Sequence, residues 1–216
     1  MSRRAGPLIA IDGAAGSGKT TLARGLSGAL GLPYVNTGLM YRYLTRKALE
    51  QGVSVHDGPA LAQLAETIEF AIGPSATLVI DGGDPDPGLS AADVEANVSA
   101  VSRHHEVRSV LREVQRGLGA AGAVMEGRDI GSVVFPDAEL KIFLEASAQE
   151  RAARRVNERG GAEHLAAELV SRDAKDSRVV AHVPSDGAVV VDTSGKSIEE
   201  VLAEALALVA DRVPRG

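Results

Sequence analysis

The chain has no cysteine among its 216 residues, which excludes a disulfide-stapled scaffold, a thiolate-ligated zinc site and a thiol nucleophile. It has no tryptophan, and aromatic residues make up only 3%, so the core must be assembled from Ala, Val, Leu and Ile. No apolar run approaches the roughly 20 residues of a membrane span. Arg3 and Arg4 precede a short apolar stretch, but Asp12 interrupts it before a secretory core could form, so a soluble, cytoplasmic chain is expected. Positive charge is in deficit. Acids outnumber bases 29 to 23, a formal net charge of −6, which argues against a protein that coats DNA or RNA but not against one that binds a single nucleotide. The five histidines (His56, His104, His105, His164 and His182) show no metal-ligand spacing.

What is present suits one globular domain, or a core with small insertions: hydrophobic residues are 44% and charged residues 24%. The basic residues are lopsided, 18 Arg against 5 Lys. Arginine's planar fork grips phosphate and carboxylate, although a GC-rich genome would give the same ratio. Residues 8–11, 34–36, 124–126, 139–144 and 188–191 read as five buried strands, separated by helical stretches. Helices are expected from Lys19 to a stop at Gly31-Leu32-Pro33, over 39–51, near 59–67 and over 91–117. Two capping boxes, Ser147 with Glu150 and Ser197 with Glu200, open the last two. This alternation predicts an α/β fold: a central five-stranded parallel sheet with helices on both faces. Residues 68–72 and 77–80 depart from it as short antiparallel strands, followed by a Pro-, Gly- and Asp-rich loop over 83–89.

Between the first strand and the first helix stands Gly13-Ala14-Ala15-Gly16-Ser17-Gly18-Lys19-Thr20, which fits G-x-x-x-x-G-K-[ST]. Glycines let backbone N–H groups converge on phosphates, and the helix N-terminus adds its dipole. Lys19 is placed for the β- and γ-phosphates, and the Thr20 hydroxyl for Mg²⁺. The pattern points to a nucleoside triphosphate without naming the reaction. A GTPase switch would carry Asn-Lys-x-Asp to read guanine, and the chain has no Asn-Lys. A mechanical ATPase would be longer and would carry a strongly acidic strand end. Here the strand over 124–126 runs instead into Gly127-Arg128-Asp129. Arginine at the carboxyl end of a central strand faces the crevice where ligands of open α/β sheets bind. With Arg42, Arg108, Arg151, Arg154, Arg155, Arg172 and Arg178 as further candidates, the inventory is that of a small-molecule kinase. Composition and spacing leave the acceptor open among a nucleotide, a sugar and shikimate.

Longer blocks carry a resemblance. Ile11-Asp12-Gly13 through Lys19-Thr20, Thr37-Gly38-Leu39-Met40-Tyr41-Arg42 and Glu126-Gly127-Arg128-Asp129-Ile130-Gly131 with Val133 to Ala138 behind it resemble bacterial cytidylate kinases. So do Lys141-Ile142-Phe143-Leu144, Arg151-Ala152-Ala153-Arg154-Arg155 and Arg172-Asp173-Ala174-Lys175-Asp176-Ser177-Arg178, in family order over nearly the whole chain. The resemblance implies ATP-dependent phosphorylation of CMP and dCMP with Mg²⁺, by a monomer that needs no nucleic-acid polymer or membrane. It implies a core of residues 1–62, 98–150 and 180–216, a β-rich acceptor-binding insertion over 63–97 and a helical lid over 151–179. Lys19, Arg128 and Arg178 would be catalytic. Gly13, Ala14, Ala15, Gly16, Ser17, Gly18, Lys19, Thr20, Thr21, Arg154 and Arg155 would hold ATP. The acceptor would meet Thr37, Arg42, Ser99, Arg108, Arg128, Asp129, Arg172 and Asp176, with Ser99, Arg108 and Asp129 at the cytosine edge. There are departures too. Asn36 stands where the family commonly has an acid, Ser90 where it has arginine, and Arg178 lies one residue closer to Asp176.

Overall fold

The computed structural model describes residues 5–159 and 183–213. Its centre is β1 (Leu8–Gly13), buried along its whole length. Such a strand has no polar face because both sides of a parallel sheet are covered. β2 (Tyr34–Asn36), β5 (Ala123–Glu126), β6 (Leu140–Glu145) and β7 (Val189–Asp192) join it in the order β2-β5-β1-β6-β7, all pairs parallel. The chain passes from β1 out to β2 and returns through β5 to β6 on the other side, so β1 sits at the switch point where ligands bind.

Side chains of β1 alternate between two cores, as the strand period of two requires. Ile9 and Ile11 pack with α1 (Lys19–Leu30) and α7 (Ile198–Arg212), through Leu22, Leu26, Val201 and Val209. Leu8 and Ala10 face the opposite side, with Val35, Met125, Ile130 and Phe135. A third cluster joins α2 (Thr37–Glu50), α3 (Gly58–Glu66) and α5 (His105–Leu118) to the antiparallel hairpin of β3 (Phe70–Ile72) and β4 (Leu78–Ile80). The hairpin therefore shares its apolar core with the helices beside it. It also reaches the main sheet, where Thr77 bridges Tyr34 and the Tyr34 N–H donates to the Ala76 carbonyl at 2.8 Å.

Local differences from the sequence expectation have identifiable causes. α2 starts at Thr37 rather than at residue 39, because the Asn36 side chain accepts the Leu39 N–H and caps the helix. The helical stretch expected over 91–117 resolves into two helices, α4 (Ala92–Val101) and α5. His104 takes an extended backbone between them and its ring bonds the Val55 carbonyl at 2.9 Å. Residues 130–134, which carried no element in the sequence reading, form a single π-helical turn (Ile130–Val134). The Ser197–Glu200 capping box opens α7, while at the start of α6 (Ala148–Arg159) only half of the expected box forms, the Ser147 hydroxyl accepting the Glu150 N–H at 3.2 Å. No helix among the described residues is long and apolar enough to cross a membrane.

Candidate active site

The carboxyl ends of β1, β5 and β2 deliver the site. After β1 the backbone turns at Gly13, where φ is +147° and a Cβ would lie 2.5 Å from the Leu144 carbonyl oxygen. Only glycine fits there. The loop wraps back to Gly18, also left-handed at φ 92°, and α1 starts at Lys19. Lys19 Nζ lies across the loop it follows, donating to the Ala14 carbonyl at 2.6 Å. Arg151 ties the same loop to α6 by donating to the Ala15 carbonyl at 3.1 Å. Arg154 reaches Thr193, whose own hydroxyl donates to the Ser17 carbonyl at 3.4 Å.

Across a cleft of about 250 Å³, this loop faces a wall built from α2, α4, α5 and the end of β5. Of the residues singled out in the sequence, Ala15, Gly16, Gly18, Lys19, Thr20, Thr21, Thr37, Arg42, Ser99, Arg108, Arg128 and Asp129 all line that cleft. Gly13, Ala14 and Ser17 belong to the loop without lining the cleft, and Ser17 is fully buried. Arg172, Asp176 and Arg178 lie outside the described residues, as does the side chain of Arg155. Each cleft arginine is held in place. Arg42, 9% exposed, donates to the Leu89 carbonyl at 2.9 Å and pairs with Glu95 at 2.8 Å. Arg128 donates to the Gly13 carbonyl at 3.0 Å, and Arg108 pairs with Asp129.

Two acids escaped the sequence reading. Glu126, 3% exposed at the end of β5, accepts the Thr20 hydroxyl at 3.1 Å on one oxygen and the Tyr34 phenol on the other. Burial and the Glu126 carboxylate push the Tyr34 phenol well above its ordinary pKa, so Tyr34 is the donor. The Glu126 carbonyl accepts the Thr37 hydroxyl at 2.8 Å, so one residue anchors both sides of the cleft. An acid ending a buried strand beside the phosphate-loop strand was the available signal.

Asp12, 7% exposed, accepts the N–H groups of Ile130 and Gly131 at 2.9 and 2.8 Å. Burial raises its pKa from 3.8 to about 6, against the pull of those two donors. A raised carboxyl pKa means that the folded state holds the proton more tightly, so the stability it contributes is complete below about pH 4 and is lost as the pH climbs through 6. Relative to an Asp12→Asn variant, the protein should lose about 2 kcal/mol of unfolding free energy between pH 4 and pH 7. Denaturant titrations at stepped pH check this; parallel curves for the two proteins would mean that Asp12 titrates normally.

Among the described residues no group of three or more His, Cys, Asp or Glu could hold a metal ion. A hydroxyl and one nearby carboxylate suit a cation bound chiefly by a nucleotide's own phosphates, as Mg²⁺ is.

An amide-lined loop for one anion opposite fixed guanidinium groups for another is the arrangement that phosphoryl transfer between two phosphates requires, and it defines the class as a P-loop kinase. The family model described as cytidylate kinase matches residues 9–211. The chain belongs to the cytidylate kinase family. It is 45% identical over 215 residues to the cytidylate kinase of Herpetosiphon aurantiacus, covering 93% of each chain. It is 41% identical over 222 residues to the bifunctional pantoate ligase/cytidylate kinase of a Synechococcus, where it spans 96% of itself and 43% of the longer protein. Among solved structures, TT1252 from Thermus thermophilus superposes with a TM-score of 0.51 at 22% identity, covering 97% of this chain and all of that one, which supports the fold.

Proposed function

We propose that the chain transfers the γ-phosphoryl group of ATP to the phosphate of CMP or dCMP, giving CDP or dCDP and ADP. The observation that carries this reading is the Arg108–Asp129 pair, set in the cleft wall opposite the phosphate loop of a cytidylate kinase family member. An acceptor phosphate oxygen attacks the γ-phosphorus while the bridge to the β-phosphate breaks, and charge on the transferring group must be neutralised throughout. Lys19 and the loop amides from Gly13 to Gly18 would hold the donor, and the Thr20 hydroxyl would hold Mg²⁺, which would supply charge neutralisation for the donor phosphates. Arg128 stands between the loop and the wall, suited to clamp the acceptor phosphate and follow the transferring charge, with Arg42 beside it. Thr37 and Ser99 complete the acceptor side. Arg154 stands next to the phosphate loop through Thr193, which supports a donor-side role for it.

The reading extends to Arg155 and Arg178 around the phosphates and to Arg172 and Asp176 at the sugar. It keeps residues 63–97 as acceptor insertion and 151–179 as lid, in a monomer of the cytoplasm; the family resemblance supports these assignments. Cytosine offers an exocyclic donor where uracil offers an acceptor, so the Asp129 carboxylate meets a repulsive partner in UMP at a cost of roughly 1–3 kcal/mol. In an ADP-release assay across CMP, dCMP, UMP, AMP and shikimate, CMP should exceed UMP in kcat/KM by about tenfold to a few hundredfold. Equal efficiencies would remove the pair from base recognition. ADP release indifferent to every acceptor would point instead to a nucleotide-binding regulator.

A further inference from the structure

The Asp129 side chain meets Arg108 within the cleft, but its backbone is held from outside it. It leads directly into the π turn Ile130–Val134, where the Val134 N–H returns to the Asp129 carbonyl at 3.2 Å and the Phe135 N–H to that of Ile130 at 2.7 Å. This turn is gripped at both ends by residues that do not line the cleft. At its amino end the buried Asp12 accepts the N–H groups of Ile130 and Gly131. At its carboxyl end Arg116 donates from Nε to the Val134 carbonyl at 3.2 Å and from Nη2 to the Val133 carbonyl at 3.3 Å. An acid on the turn's free amides and a base on its free carbonyls both follow the sense of the turn's dipole.

The two grips come from the elements that carry the rest of the site. Asp12 immediately precedes Gly13, where the phosphate loop begins, and the Gly127 N–H adds a bond to the Ile11 carbonyl at 3.0 Å. Arg116 shares α5 with Arg108, the other half of the pair, eight residues and a little over two helical turns away. One helix thus places both members: Arg108 directly, and Asp129 through the turn that Arg116 holds. We propose that Asp12 and Arg116 are positioning residues for base selection, clamping the π turn so that Asp129 meets Arg108 in fixed register with the phosphate loop. The proposal rests on the reading of Arg108 and Asp129 as the cytosine readers.

A misplacement of about 1 Å by a residue away from the chemistry can cost about a hundredfold, and here the loss falls on discrimination. The decisive variant is Arg116→Ala, because Arg116 is a half-exposed surface side chain whose removal opens no core cavity. Its ratio of kcat/KM for CMP over UMP should fall about threefold to tenfold, mostly through a raised KM for CMP, with the KM for ATP within about twofold of the parent. Arg116→Lys, which can reach one carbonyl, should restore part of the ratio. Asp12→Asn, which keeps one acceptor and turns an amide NH₂ toward the second N–H, should lower the ratio further wherever it folds. A merely structural loss would shrink the active fraction and lower both substrates together, leaving the ratio where it was. Asp129→Asn separates the two claims. If it leaves the ratio unchanged, the base-reading assignment fails; if it collapses the ratio while folded Arg116→Ala keeps the parental value, the clamp is overturned.

Discussion

Replacing Arg128 with lysine should lower turnover by roughly two or more orders of magnitude while leaving the unfolding midpoint nearly unchanged. The charge survives this change and the geometry does not. Arg128 leaves the end of β5 half-buried and spans to the Gly13 carbonyl at 3.0 Å, so its planar head lies between the phosphate loop and the acceptor wall. A guanidinium at that place can bond two phosphate oxygens at once and keep both bonds as negative charge shifts between them. A lysine ammonium is a flexible point charge whose stem would have to be ordered anew for each bond. Folding depends little on the difference, since the side chain contributes to no apolar cluster. Single-turnover rates alongside thermal melts check this. Near-parental turnover in the folded Arg128→Lys protein would take the residue out of the mechanism.

Glu126→Gln should raise the Mg²⁺ concentration needed for half-maximal turnover by about tenfold to a hundredfold, the usual cost of removing a group that orients a metal ligand. A hydroxyl has one proton and two lone pairs. As Thr20 donates its proton to Glu126, its lone pairs are left for the cleft. Glutamine would present NH₂ to either Thr20 or Tyr34 and force one hydroxyl to turn round. Because the residue also carries negative charge into a site for a divalent cation, the loss should be specific to metal. Calorimetry of a non-hydrolysable ATP analogue should show weakened binding with Mg²⁺ and parental binding in a chelator. Equal weakening in both conditions would make Glu126 a support of the loop rather than of the cation.

The parts of this site that the sequence disclosed are those whose support is local. The phosphate loop needs glycine at fixed spacing because the backbone itself binds, so Gly13 to Thr20 are legible without any tertiary knowledge. The buried strands are legible because the apolar runs are short and alternate with longer helical stretches bounded by glycine and proline. What stayed hidden is held from afar. Asp12 and Ile130 are 118 residues apart, Thr20 and Glu126 are 106 apart, and the helix break at His104 is fixed by a carbonyl 49 residues earlier. A π turn has no residue code of its own; Ile130–Val134 reads as a stretch of apolar loop until its two grips are seen. On the acceptor side Arg128 was legible from its place after a buried strand, whereas Arg42 and Arg108 took their roles only from family blocks, because arginine on a helix carries no mark that tells a ligand from a solvated charge.

The bridge between Tyr34 and Thr77 gives the β3–β4 hairpin a second duty. β2 is the outermost strand of the sheet on its side, and a bare strand edge invites pairing with other chains. The turn joining β3 and β4 occupies part of that edge, taking the Tyr34 N–H on the Ala76 carbonyl, with Ala76 itself in a left-handed conformation at φ 56°. The turn's length is therefore constrained by the sheet. A variant of this chain that lengthened or shortened residues 73–77 would unseal the edge while leaving every cleft residue in the chain, and the penalty would surface as self-association, not as lost chemistry.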